Sequence, residues 1–201
     1  MTEAMDFFDI DLEQNPGFKI LMEYLENQEF EVVKFKKNDY IYEQGQTINC
    51  VYWVSEGLFS INHTAENGRS LNLGLKSAGF NIYGEVEVVS GKASSFDLIA
   101  QSDVEAKLIP SGVFIAWLEK EPEIAKFVIQ KLASHYQEFK NFTFSRCLYP
   151  LIYSIAKDIY QEKDSDFRFE YQYNEAERYG CSERTYIREL KKLIEMGYIV
   201  K

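Results

Sequence analysis

The chain has 201 residues, of which 46% are hydrophobic and 15% aromatic, and carries a formal net charge of -10. Such a composition supports a packed core and excludes an intrinsically disordered chain. No stretch approaches the roughly 18 uninterrupted apolar residues of a membrane span, and the start, MTEAMDFFDIDLEQ, lacks the basic flank and apolar run of a secretory signal, so a cytoplasmic protein with no membrane partner is expected.

Residues 1–29 read as an acidic helical lead-in. From Met1 to Glu31 nine acidic residues face Lys19 alone, a balance of -8. Phe7, Phe8, Ile10, Phe18, Leu21, Met22 and Leu25 recur at helical spacing and are interrupted at Asn15-Pro16-Gly17, which predicts one or two short helices.

Over residues 30–121 the period shortens to alternating runs broken by turn signals: FEVVKF, DYIYEQG, CVYWVSEGLFSIN, ENGRSLNLGL, FNIYGEVEVVSG, SSFDLIAQS and VEAKLIP. Asn67-Gly68 is a two-residue hairpin signal, because both residues tolerate positive φ. Several short strands at regular spacing predict an antiparallel, jelly-roll-like β-roll. The segment SGVFIAWLEKEP follows as a short helix.

A long helix is predicted over 122–148, with Pro122 in its first turn. Ile124, Phe127, Val128, Leu132, Tyr136 and Phe139 recur at threes and fours, and Ile129 widens the apolar face. One side of this helix can cover the roll while the other pairs with the same helix of a second subunit. Tyr149-Pro150 ends it, since the residue before proline is pushed out of helical geometry. Residues 149–201 then form a small terminal domain: an apolar helix (Leu151, Ile152, Ile155, Ile159), a polar turn QEKDSD, the strand-like FRFEYQY and two closely spaced helices.

The end of the chain reverses the charge. From Arg178 to Lys201 six cationic residues face three acidic ones, a balance of +3. Ser182 is a good N-cap. On a wheel centred on Leu190, Tyr186, Ile187, Leu193 and Ile194 fall within about 60°, while Arg184, Thr185, Arg188, Lys192 and Glu195 lie on the far side. A helical segment, NEAERYG, precedes it and is closed by Gly180, where a left-handed turn is wanted. Helix, glycine turn and Ser-capped basic helix make helix-turn-helix anatomy, and such a helix fits the DNA major groove.

The layout of β-roll, long helix, hinge and terminal helix-turn-helix resembles the Crp/Fnr superfamily of bacterial transcription regulators, most closely in GCSERTYIRELKKLIEMGYI and also in YIYEQGQ, VYWVSEGLFSI and YGEVEVVSG. The resemblance implies an α+β fold and a homodimer joined through residues 122–148. It also implies a two-fold symmetric double-stranded DNA site, a signal sensed in the roll and, for an activator, RNA polymerase as a partner. Carried over by position, base reading falls to Glu183, Arg184 and Arg188, with Ser182 and Thr185 suited to phosphate, and Lys192 on the same face. The cyclic-AMP-binding members read Arg then Glu where this chain has Glu183 then Arg184, so the target sequence differs. The family's β-hairpin wing would begin where this sequence stops, at Lys201, and is expected to be missing.

The effector pocket implied by the resemblance comprises Tyr83, Gly84, Glu85, Ser94, Ser95, Phe139 and Lys140. Gly84 and Glu85 match the family's Gly-Glu pair, but Ser94-Ser95 stands where an arginine and serine grip the phosphate. Serine cannot replace that charged fork, so cyclic AMP is not expected. Cys50, Cys147 and Cys181 are far apart with no CxxC pair, so no disulfide framework, zinc site or N-terminal iron–sulfur cluster is predicted. His63, beside the ENG turn and expected to be exposed, and His135, in mid-helix, suggest no haem ligation. No cofactor is evident, and the effector stays open, with oxidation of Cys147 near the hinge a minor option. A ligand-binding or protein-interaction module with an incomplete DNA-binding domain is the alternative. An enzyme on a cupin-like barrel is disfavoured, because two distant histidines supply no metal cluster, and no catalytic grouping is evident.

Overall fold

A computed structural model describes residues 10–77, 81–162 and 172–199. Eight strands, β1 (Glu31–Phe35), β2 (Tyr40–Tyr42), β3 (Cys50–Glu56), β4 (Leu58–Thr64), β5 (Ser70–Ser77), β6 (Asn81–Tyr83), β7 (Asp97–Ala100) and β8 (Val104–Pro110), build the roll. They form two antiparallel four-stranded sheets, ordered β1-β8-β3-β6 and β2-β7-β4-β5. Alternation along β3 and β8 puts Val54, Val104 and Ala106 between the sheets with Phe59, Leu98 and Ala100, all fully or almost fully buried. The expected jelly-roll-like fold is thus observed.

Two local expectations change. The run GEVEVV is not a strand: Gly84 turns the chain at φ 87, and Glu85–Ser90 forms a short helix, α2, whose Val86 and Val89 stay exposed. The valines satisfy a strand pattern, but only the helix follows from the left-handed glycine and the acids Glu85 and Glu87 in its first turn. The Asn67-Gly68 hairpin exists, yet its loop is longer than two residues. Thr64 pairs with Ser70, five residues bridge them, and only Gly68 takes positive φ, while the Asn67 side chain accepts a bond from the Arg69 N–H at 3.1 Å.

Helix α1 (Pro16–Asn27) starts at, rather than being broken by, the Asn-Pro-Gly signal: Asn15 caps it by accepting from the Phe18 N–H at 3.1 Å. Residues 1–9 of the expected lead-in lie outside the described residues. Its Leu21 and Leu25 join Trp53, Phe114, Trp117, Ile124 and Phe127 in a second core outside the sheets, which fastens α3 (Ser111–Lys120) and the start of α4 (Pro122–Leu148) to the roll. Gly17 marks the contact between α1 and α4, since a Cβ there would overlap the Glu123 carbonyl and come within 2.7 Å of the Phe127 Cβ.

Along α4 the burial changes character. Ile124, Phe127 and Val128 are buried, whereas Ile129 and Tyr136 are each 65% exposed and Phe139, Phe144 and Leu148 are also exposed. After Tyr149-Pro150 come α5 (Leu151–Glu162), α6 (Gln172–Arg178) and α7 (Glu183–Glu195), packed around Ile155, Ala176, Tyr179, Tyr186 and Leu193. Most of the FRFEYQY segment and of the polar turn before it lies outside the described residues, and its Gln172 and Tyr173 open α6 instead of continuing a strand.

Candidate nucleic-acid interface and roll pocket

The turn between α6 and α7 is built from backbone bonds. Gly180, at φ 59, donates to the Glu177 carbonyl at 2.9 Å, and Cys181 donates to that of Ala176 at 3.1 Å, the paired bonds of a Schellman motif. Ser182 then caps α7: its Oγ accepts from the Thr185 N–H at 3.2 Å and lies 2.9 Å from Thr185 Oγ1. Helix α7 buries Tyr186 and Leu193, while Ser182, Glu183, Arg184, Arg188 and Lys192 are exposed and Thr185 is half-buried. All six expected DNA-facing residues therefore lie along or at the start of one helix.

Sequence reading missed Glu189. Its side chain is buried under the cationic face, receiving Lys192 Nζ at 2.9 Å and Arg188 Nε at 3.0 Å. The hydrogen bond from Lys192, helped by Arg188, outweighs burial and holds this carboxyl below its usual range. Glu189 thus orients two cations on the exposed face and takes up part of their charge. Its position one residue after Arg188 and three before Lys192 was the available signal.

The roll pocket is organised by Gly84, where a Cβ would come within 3.0 Å of both the Cys50 carbonyl and Ile48 Cγ2. Next to it Glu85 is almost fully buried, and its carboxyl is pushed up to about 7: burial dominates, Glu87 adds to the rise, and the Glu85 backbone and Lys131 oppose it. Tyr83 is buried and its hydroxyl raised by desolvation, with Glu85 and Glu138 adding to the effect. The His135 ring stacks on Tyr83 at 6.4 Å between centroids and 12° between planes. The α4 groups acting on Tyr83 and Glu85 are thus Lys131, His135 and Glu138, none of which sequence reading placed in the pocket.

The remaining expected pocket residues are occupied otherwise. Ser94 is buried, its Oγ donating to the Phe96 carbonyl at 2.8 Å and its backbone N–H to Gln46. Ser95 is exposed and its carbonyl accepts from His63 Nδ1 at 2.7 Å. His63 is accordingly half-buried on β4, against the Phe96 ring, and not free at the turn as expected. Phe139 is 47% exposed and Lys140 half-buried, beyond His135 on α4.

Residues 32–121 match the family model of the cyclic nucleotide-binding domain. Among solved structures, the chain is similar to the c-di-GMP responsive global regulator CLP of Xanthomonas campestris, at 15% identity and TM-score 0.76, covering 89% of this chain and 92% of that one. The chain has the Crp/Fnr fold. A Crp/Fnr-family regulator from Eubacterium rectale aligns at 13% identity and TM-score 0.72 over 94% of this chain and 88% of its own. FixK2 of Bradyrhizobium japonicum aligns at 14% and TM-score 0.68 over 85% and 87%. No curated protein matches in sequence. Among the described residues no helix is long and apolar enough to cross a membrane.

Proposed function

We propose that the chain is a dimeric, DNA-binding transcription regulator that reads a palindromic site with α7. The exposed cationic edge of a Ser182-capped helix behind a tight turn carries this reading. Arg184 and Arg188 supply forked donors for base edges, Ser182 and Thr185 supply hydroxyls for phosphate, and Lys192 supplies a point charge farther along. The pairing surface would be the exposed side of α4, where Ile129 and Tyr136 stand one heptad apart, and the symmetric contact would present two copies of α7 to successive half-sites.

Cyclic AMP does not fit the roll pocket. The position that should grip the phosphate holds Ser94 and Ser95, and the Ser94 hydroxyl is engaged by the Phe96 backbone. Glu85 remains available as an acceptor or, once protonated, as a donor. An effector lacking a phosphate at that position is the better match. The c-di-GMP response of CLP shows that effectors differ among proteins of this fold.

Duplex affinity measured against salt tests the reading. The affinity should fall linearly in log–log form, and Lys192→Ala should reduce the slope by about one unit. Salt-independent association would contradict it.

A further inference from the structure

The start of α7 is not open to solvent on every side. A cleft of about 560 Å³ separates it from the roll, lined by Gly68, Arg69 and Ser70 of the β4–β5 hairpin and, opposite, by Ser182, Glu183 and Thr185. Glu177 of α6 lines the same cleft. Below it the hairpin and the helix-turn-helix are in closer contact, since a Cβ at Gly180 would lie 3.7 Å from Leu71 Cδ1. The hairpin tip therefore stands in front of the end of α7 that would enter a major groove about 12 Å wide.

The geometry points to an autoinhibitory latch: the β4–β5 hairpin faces the Ser182–Thr185 start of α7 across the cleft, where a DNA backbone would have to pass, and DNA binding requires the two to separate. This inference rests on the DNA-binding reading of α7 and concerns its regulation. Charge supports it. Arg69 shares the cleft with Glu177 and Glu183, so the roll presents a cation to two acids of the helix-turn-helix. Glu183, an acid at a position expected to read bases, thereby gains a role in the closed form. The hairpin also continues β4 and β5, whose sheet encloses one side of the roll core, so a change inside the roll has a covalent route to the latch.

The test is Arg69→Glu, an exposed turn position that belongs to none of the three apolar clusters. By charge alone this change weakens binding to a polyanion. If the latch exists, repulsion from Glu177 and Glu183 opens it and duplex affinity rises about tenfold, within the usual range of coupling between sites. Adding Glu177→Arg should return the affinity to that of the wild type. A readout without DNA runs alongside: alkylation of Cys181, which lines the cleft and is half-buried, should accelerate severalfold in Arg69→Glu, followed by peptide mass mapping. Faster Cys181 labelling with no duplex binding by either protein would keep the latch and defeat the DNA-binding reading. Unchanged Cys181 labelling would overturn the latch, whatever happens to DNA affinity.

Discussion

Arg146, near the end of α4, places Nη2 2.7 Å from Oδ2 of Asp158 on α5, and both side chains are only 13% exposed. Tyr179, just after α6, donates its hydroxyl to the same oxygen at 3.0 Å, and the Arg146 guanidinium lies over the Tyr179 ring at 4.2 Å. Ser154 Oγ adds a bond to the Ser145 carbonyl at 2.9 Å. One carboxylate oxygen thus joins α4, α5 and Tyr179 at the head of the turn that leads into α7. Arg178 also approaches this oxygen, its Nη2 at 3.7 Å, so Arg146→Ala leaves the carboxylate with the more distant arginine and the Tyr179 hydroxyl and should destabilise the protein by about 1.5 to 3 kcal/mol, the worth of a charged hydrogen bond. Urea unfolding checks this, and a double-mutant cycle with Asp158→Asn should show strong non-additivity. Additive losses would mean that the pair contributes little.

Gly17→Ala isolates the joint between α1 and α4. In an open helix that change would help, but here the new methyl overlaps the Glu123 carbonyl and crowds Phe127. The expected result is a loss of about 1 to 3 kcal/mol, seen as a lower melting temperature. A gain would show that α1 can move off the long helix.

Glu85 predicts a pH dependence with a definite sign. Its carboxyl lies near 7 in the folded chain against an ordinary 4.5, so the folded state holds the proton more tightly than the unfolded state. Between those values stability falls as pH rises, and above about 7 the full penalty of ionising a buried acid is present. Glu85→Gln should therefore stabilise the protein at pH 8, by on the order of 3 kcal/mol, with the gain fading toward pH 4.5. An equal effect at pH 8 and pH 4 would mean that Glu85 does not titrate there.

Ile129→Glu places a charge on the exposed apolar side of α4 without touching the face that buries Ile124, Phe127 and Val128. Sedimentation should show a dimer for the wild type and a folded monomer for Ile129→Glu. A wild-type monomer at micromolar concentration would contradict the proposed pairing.

The alternation of β3 and β8, the proline start of α4 and the Ser182 cap were legible because each is a local rule with a short period or a fixed offset. The helix after Gly84 was not, since an alternating EVEVV satisfies a strand pattern equally well and only the backbone at Gly84 decides. At the candidate site, the outward positions of α7 followed from its wheel. Glu189 escaped because its burial depends on how α7 packs in the terminal cluster, and its role on two long cations reaching over it. The hairpin across the cleft escaped for a different reason: Arg69 and Glu183 are more than a hundred residues apart, and no local pattern relates them.

Selection of bound DNA from a random duplex pool, at moderate salt, tests the central claim most directly, using the wild type, Arg69→Glu and the Arg184→Ala/Arg188→Ala double mutant. The wild type and Arg69→Glu should enrich one palindrome that the double mutant does not, with each arginine worth about 1 to 3 kcal/mol at its base. Absence of any enriched palindrome with both the wild type and Arg69→Glu would contradict the assignment of α7 as a DNA-reading helix.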